Sequence, residues 1–258
     1  MTTASLVGLV VLGAVASGIG TLIGAGGAFI AVPVLLMARP ELSPAAATGA
    51  GLFMVLVNAT LGAARYARMG RVHFPSAIRF AAATLPGAMA GVWAVRRVSG
   101  AGFSALFGGL LLVIAVLLGR RALRAPLPSD DTTTRTRVDP RGVAASAIVG
   151  FVATFFGVGG GILQVPILAA WLRYPVPVAV ATSLLIAAVT AAVGVATHLA
   201  TAAGLPDHWP VAAALACGAL VGASVGARLS RHVGSRGILL GVAGAFVIAG
   251  ARLIYAAL

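Results

Sequence analysis

LIGAGGAFIAVPVLL, residues 22–36, sets three glycines and a proline inside one of the most apolar parts of the chain. FFGVGGGILQVPILA, residues 155–169, repeats the arrangement in the second half. Ungapped superposition pairs Gly24 with Gly157, Gly26 with Gly159, Gly27 with Gly160, Val32 with Val165, Pro33 with Pro166 and Leu35 with Leu168. The likeness continues downstream: LPGAMAG at 85–91 parallels LVGASVG at 220–226, and the start of the span at Pro44 to Thr48 and Gly49 parallels Pro177 to Thr182 and Ser183 with one inserted residue. The chain therefore reads as two homologous halves, 1–119 and 142–258, joined by a polar linker at 120–141.

Composition decides the solvent. Of 258 residues 60% are hydrophobic and 9% charged, with a mean hydropathy of +1.07, a balance that belongs in a bilayer. Apolar runs at 44–63, 75–95, 103–119, 177–199, 209–228 and 238–256 have the length of helical spans, whereas a barrel would alternate in short segments. The net charge of +13 comes from arginine without lysine. Most of these arginines sit at the ends of spans, where they meet lipid headgroups, so the bilayer rather than nucleic acid is the expected partner. Cys217 stands alone, which excludes a disulfide or a cysteine-based metal site, and no cofactor is implied. The first 23 residues lack a basic leader and have a counterpart at 142–156, so they read as a retained helix.

Residues 5–38 are too long for one span, yet after the glycines only 28–38 remain, about 16 Å of helix against a hydrocarbon core of about 30 Å. A single crossing here would divide the arginines almost evenly between the two sides. A hairpin that enters and turns back puts Arg65, Arg68, Arg71, the linker arginines, Arg173, Arg228, Arg231 and Arg236 on one side, against Arg39, Arg96 and Arg97 on the other. The positive-inside rule selects the hairpin. Each half then has five segments, an odd number, so the fold expected is an all-helical polytopic membrane protein of two inverted repeats, each a broken glycine-rich hairpin plus three transmembrane helices. The linker falls in the cytoplasm and both termini outside it.

Backbone broken in hydrocarbon has to be satisfied by protein, water or ligand. Half-helix N-termini carry partial positive charge and unpaired N–H groups, so glycine tips meeting near the midplane would cradle a small anion. The expected contacts are Gly24, Gly26, Gly27, Gly157, Gly159, Gly160 and Gly161, with Gln164 as a side-chain donor and Thr48, Thr182 and Ser183 lining the cavity from the following spans. Each has a plainer reading. The glycines could serve packing, Gln164 an interhelical hydrogen bond, and the hydroxyls their own helices. Packing is the preferred reading for Gly87/Gly91 and Gly222/Gly226, whose four-residue spacing lines one helix face. Asn58 reads as an interhelical tie, and Arg79 as a snorkelling side chain with a substrate vestibule as the alternative. The four histidines show no metal-ligand spacing, and Glu41, Asp130, Asp131, Asp139 and Asp207 all fall in loops, leaving no intramembrane carboxylate to relay protons or bind sodium.

On the paired G-x-G-G motifs, the proline six residues after the last shared glycine, the Pro…Thr start of the next span and the small-residue penultimate spans, the chain resembles the sulfite exporter TauE/SafE family of membrane permeases, over all but the linker. The resemblance implies export of sulfite, sulfoacetate or a related sulfur-containing anion. The first motif departs modestly, with Ala28 where the second has Gly161. The function expected is anion export by alternating access, as uniport driven by the membrane potential. A membrane-embedded enzyme or a non-transporting scaffold are the rivals.

Overall fold

The computed structural model describes residues 3–123, 140–172, 174–201, 208–229 and 235–257. Its helices are α1 (Thr3–Ile23), α2 (Ala28–Ala38), α3 (Pro44–Arg68), α4 (Phe74–Val95) and α5 (Gly100–Leu123), then α6 (Pro140–Phe155), α7 (Gly161–Pro166), α8 (Val176–Ala200), α9 (Trp209–Leu229) and α10 (Ser235–Tyr255). A π-helical turn, Ile167–Trp171, continues α7. The described residues contain no strand. Six helices are long and apolar enough to cross a membrane, and shorter apolar helices accompany them. This is an all-helical, multi-pass membrane protein. Residues 124–139 of the expected linker lie outside the described residues.

Local chemistry sets the boundaries. Ser43 caps α3 by accepting the Ala46 amide at 3.2 Å, and Pro44 follows in the first turn, where its missing N–H costs nothing. The same helix ends with Arg65 and Arg68 in its last turn, against the negative end of its dipole, just before Gly70 at φ 68°. Arg65 also donates to the Ser224 carbonyl at 3.1 Å and its hydroxyl at 2.8 Å, tying α3 to α9. Arg65→Met is expected to lower the thermal midpoint, at a cost of about 1–3 kcal/mol for the charged hydrogen bonds lost, without changing helix content by circular dichroism.

Helix α3 packs against α8 at the centre, where 67% and 72% of their most apolar windows are buried against 39% for α1, α4 and α5. The two run antiparallel, since a Cβ on Gly62 would lie 3.0 Å from Leu184 and one on Gly194 2.9 Å from Leu52. On either side, α1 lies along α9 and α6 along α4, and α5 pairs with α10. Exchanging each helix for the one five places later leaves this set of partners unchanged.

The α1/α9 and α4/α6 seams are backbone against backbone. A Cβ on Gly222 would overlap the Ala14 carbonyl oxygen and one on Gly226 that of Gly18; on the other seam, Gly87 meets the Ala147 oxygen and Gly91 that of Phe151. Small residues therefore serve packing here, in the manner of small-xxx-small interfaces.

Candidate functional site

Both glycine stretches form the same tight turn between two helices. Gly24, Gly26 and Gly27 have φ of 81°, 79° and 87°, and Gly157, Gly159 and Gly160 have 70°, 77° and 76°. Three left-handed residues in a span of four are cheap only for glycine. The bonds correspond too. Gly24 N–H donates to the Thr21 carbonyl and Gly157 N–H to that of Thr154, both at 3.3 Å, while Ala25 reaches Gly20 at 2.7 Å and Val158 reaches Ala153 at 2.8 Å. Gly27 and Gly160 then stand as N-caps of α2 and α7, with no side chain capping either helix. Among the described residues, no backbone acceptor pairs with the amides of Gly26, Gly27, Ala28 and Phe29, nor with those of Gly160, Gly161 and Ile162.

The tips touch each other. A Cβ on Gly161 would overlap the Gly24 carbonyl oxygen and come within 3.0 Å of the Ala25 Cα. Both tips abut Val55, midway along the 25-residue α3. Gly24 also lies against Val180 of α8, and Gly157 against Thr48 of α3, where a Cβ would come within 3.1 Å and 2.6 Å of the respective Cα atoms. The junction is fully covered, with Ala25, Ala28 and Phe29 at 0% exposure. Pro33 is inside α2, and Pro166 ends α7, where the missing N–H precedes the π-turn.

The side chains expected at the site are all buried, and each has a protein partner. Gln164 Nε2 donates to Ser146 Oγ on α6 at 3.2 Å. Thr48 Oγ1 donates to the Ala45 carbonyl at 3.1 Å, and Thr182 Oγ1 accepts the His73 amide at 3.1 Å. Ser183 Oγ lies 3.0 Å from the Gly24 carbonyl and 2.9 Å from that of Val180, which joins α8 directly to the first tip. Gln164, by contrast, sits a turn into α7 and binds within its own hairpin, while Arg79 is on an exposed face of α4.

Asn58, read from the sequence as an interhelical tie, accepts through Oδ1 from Thr21 Oγ1 of α1 at 2.8 Å. Ser17, one turn before Thr21 on the same face of α1, escaped sequence reading. Recurrence of Ser17 and Thr21 at helical spacing in an otherwise apolar segment was the available signal. Elsewhere His73 Nδ1, Ser76 Oγ and Tyr174 OH form a chain of 2.8 Å and 2.5 Å contacts at the start of α4, beside Thr182.

The junction thus offers hydrogen-bond donors in a neutral surround. Glu41, the acidic residue among those described, is exposed in the α2–α3 connection, and no group of three His, Cys, Asp or Glu capable of holding a metal ion occurs among the described residues. A cavity of about 30 Å³ beside the tips, lined by Ile23, Ile114, Leu118, Ile162 and Val165, is apolar and suits no ion.

Comparison with known proteins agrees with this architecture. A probable membrane transporter protein of Bacillus subtilis, YunE, is 29% identical over 270 residues, covering 97% of this chain and 98% of its own length. A probable membrane transporter protein of Xylella fastidiosa (strain Temecula1) is 31% identical over 229 residues, 88% of this chain and 86% of its own. No solved structure matches the chain significantly. The family model described as sulfite exporter TauE/SafE matches residues 9–253, from within α1 to within α10, and the chain belongs to that family of membrane transporters.

Proposed function

We propose that this transporter exports a small anion, sulfite or a related sulfur oxyanion or organosulfonate, by alternating access around the paired glycine tips, without converting it chemically. The observation that carries the reading is the contact between two left-handed glycine turns whose following amides have no backbone acceptor, buried against the middle of α3. Unpaired N–H groups at a helix start favour negative charge, and burial strengthens the attraction. The family description supplies the substrate class. Antiparallel α3 and α8, with equivalent partners on either side, support an inverted repeat in which one bundle rocks against the other. On this reading the linker 120–141 is cytoplasmic, both termini are outside, and Ser183, Thr182, Thr48 and Gln164 shape the cavity, with Arg79 at a vestibule. A membrane-embedded enzyme would need a nucleophile, metal or acid–base pair that the junction does not assemble.

The test is flux in proteoliposomes loaded with sulfite, thiosulfate, sulfate, sulfoacetate or taurine at a clamped potential. For uniport of a monovalent anion, 100 mV supplies about 2.3 kcal/mol, so the steady-state ratio should change about fiftyfold when that potential is imposed or collapsed. Recovery of a converted product, or no flux of any of the five, would refute the reading.

A further inference from the structure

We propose that Ser17 and Asn58 are side-chain ligands for an oxyanion at the first glycine tip, and that the chain holds one such anion beside Gly26 and Gly27 rather than one in each half. The ligand class rests on the transport reading above; the residues and the stoichiometry go beyond it. Both side chains are at 0% exposure, and Ser17 Oγ and Asn58 Nδ2 have no hydrogen-bond partner among the described residues. Both border the same tip. Val55, three residues before Asn58 and on the same face of α3, abuts Gly26 and Gly159. Across from it, a Cβ on Gly27 would lie 2.8 Å from the Ser17 Cα, and one on Gly20 would overlap the Gly27 amide nitrogen. Thr21 donates to Asn58 Oδ1 at 2.8 Å, which holds the carboxamide with Nδ2 left to give its protons elsewhere.

What gathers here is a carboxamide N–H₂, a hydroxyl and the amides of Gly26, Gly27 and Ala28, groups that donate. No charged side chain of α1 or α2 intervenes, and the arginines of α3 stand in its last turn. Buried donors without acceptors match the several lone pairs of an oxyanion and repel a cation. The second half lacks the set. Gly150 stands in place of Ser17, and Thr190 in place of Asn58. Thr190 Oγ1 is within 2.7 Å of Thr84 Oγ1 and 2.9 Å of the Ile186 carbonyl, while Thr154, the counterpart of Thr21, donates to the Ala88 carbonyl at 2.8 Å. The pseudo-symmetry breaks where the donors are left over.

The test uses the full-length protein with sodium sulfite as probe, read by thermal midpoint in detergent and by efflux from vesicles. Sulfite should raise the wild-type midpoint. In Ser17→Ala and Asn58→Leu that rise should disappear and KM for efflux should increase about tenfold, the loss of one good hydrogen bond to an ion. Without sulfite both variants should be as stable as wild type or more so, because each removes an unpartnered polar atom and Thr21 can bond its own helix instead. Asn58→Asp should abolish the sulfite response through repulsion, and Thr190→Val should retain it. If Ser17→Ala and Asn58→Leu lower the sulfite-free midpoint but keep the wild-type shift and KM, the two residues are helix ties and the proposal falls while transport stands. A wild-type shift that the variants lose, without efflux, keeps the site and refutes export. No effect of sulfite on wild type by either readout overturns both.

Discussion

Gly161→Leu is expected to reduce sulfite efflux at least tenfold while leaving the protein inserted and monodisperse. Gly161 is not among the glycines with positive φ, so leucine meets no left-handed strain there. What it meets is the other hairpin. Its Cβ would overlap the Gly24 oxygen and press the Ala25 Cα at 3.0 Å, both backbone atoms that no rotamer change can move aside. Relief requires the tips to separate, and overpacking of this kind costs about 1–3 kcal/mol, enough to displace the amides from one another. Gly160→Ala is the contrast. It keeps φ at 76° but faces the Ala153 and Val149 side chains at 3.1 and 3.4 Å, so the strain of about 1–2 kcal/mol for a left-handed residue dominates. The measurement is the initial efflux rate per inserted protein. Wild-type rates in Gly161→Leu would remove the tip junction from the mechanism.

Gly222→Leu should act on the whole molecule instead. Its Cβ would overlap the Ala14 oxygen, with the Ala14 carbonyl carbon and the Gly18 nitrogen each at 2.9 Å, so α1 and α9 would have to part along their length. A cost above about 3 kcal/mol is a large share of the 5–15 kcal/mol that holds typical proteins folded. Size-exclusion chromatography after detergent extraction should show loss of the monodisperse peak, and Gly87→Leu on the α4/α6 seam should do the same. Gly244→Leu, with nothing within 4 Å of its Cβ, should elute as wild type. A monodisperse Gly222→Leu would mean that the seam is looser than its backbone contacts imply.

Sequence carried the architecture because bilayer helices announce themselves by length, and α3, α4, α8 and α9 fall within a few residues of the expected spans. The left-handed turns were legible because glycine clusters without helical spacing have few other uses. Register was harder. Alignment on Pro44 and Pro177 equates Thr48 with Thr182, but the contacts equate Thr48 with Val180 and Gly51 with Ser183. Gly24 sits on Val180 as Gly157 sits on Thr48, while Ser183 bonds the Gly24 carbonyl where a Cβ on Gly51 would come within 2.8 Å of the Gly157 oxygen. The bounds of α3 and α8 agree with this shift. Proline tolerates more than one place in a first turn, so it marks where a helix starts without fixing which face meets the tip. Ser17, and the unpartnered Nδ2 of Asn58, stayed hidden for a related reason: whether a buried polar atom is satisfied depends on helices far away in sequence.

The exchange of partners, α1 resting on α9 and α6 on α4, means that the first arm of each hairpin is covered chiefly by a helix of the other half. A polypeptide ending near residue 119 would leave the glycine face of α1 bare, and could cover it only by meeting a second copy lying head to tail with it. Joining both halves in one chain makes that encounter certain, where separate copies would depend on their abundance in the bilayer. It also lets the two halves differ chemically, since a change in one does not appear in the other.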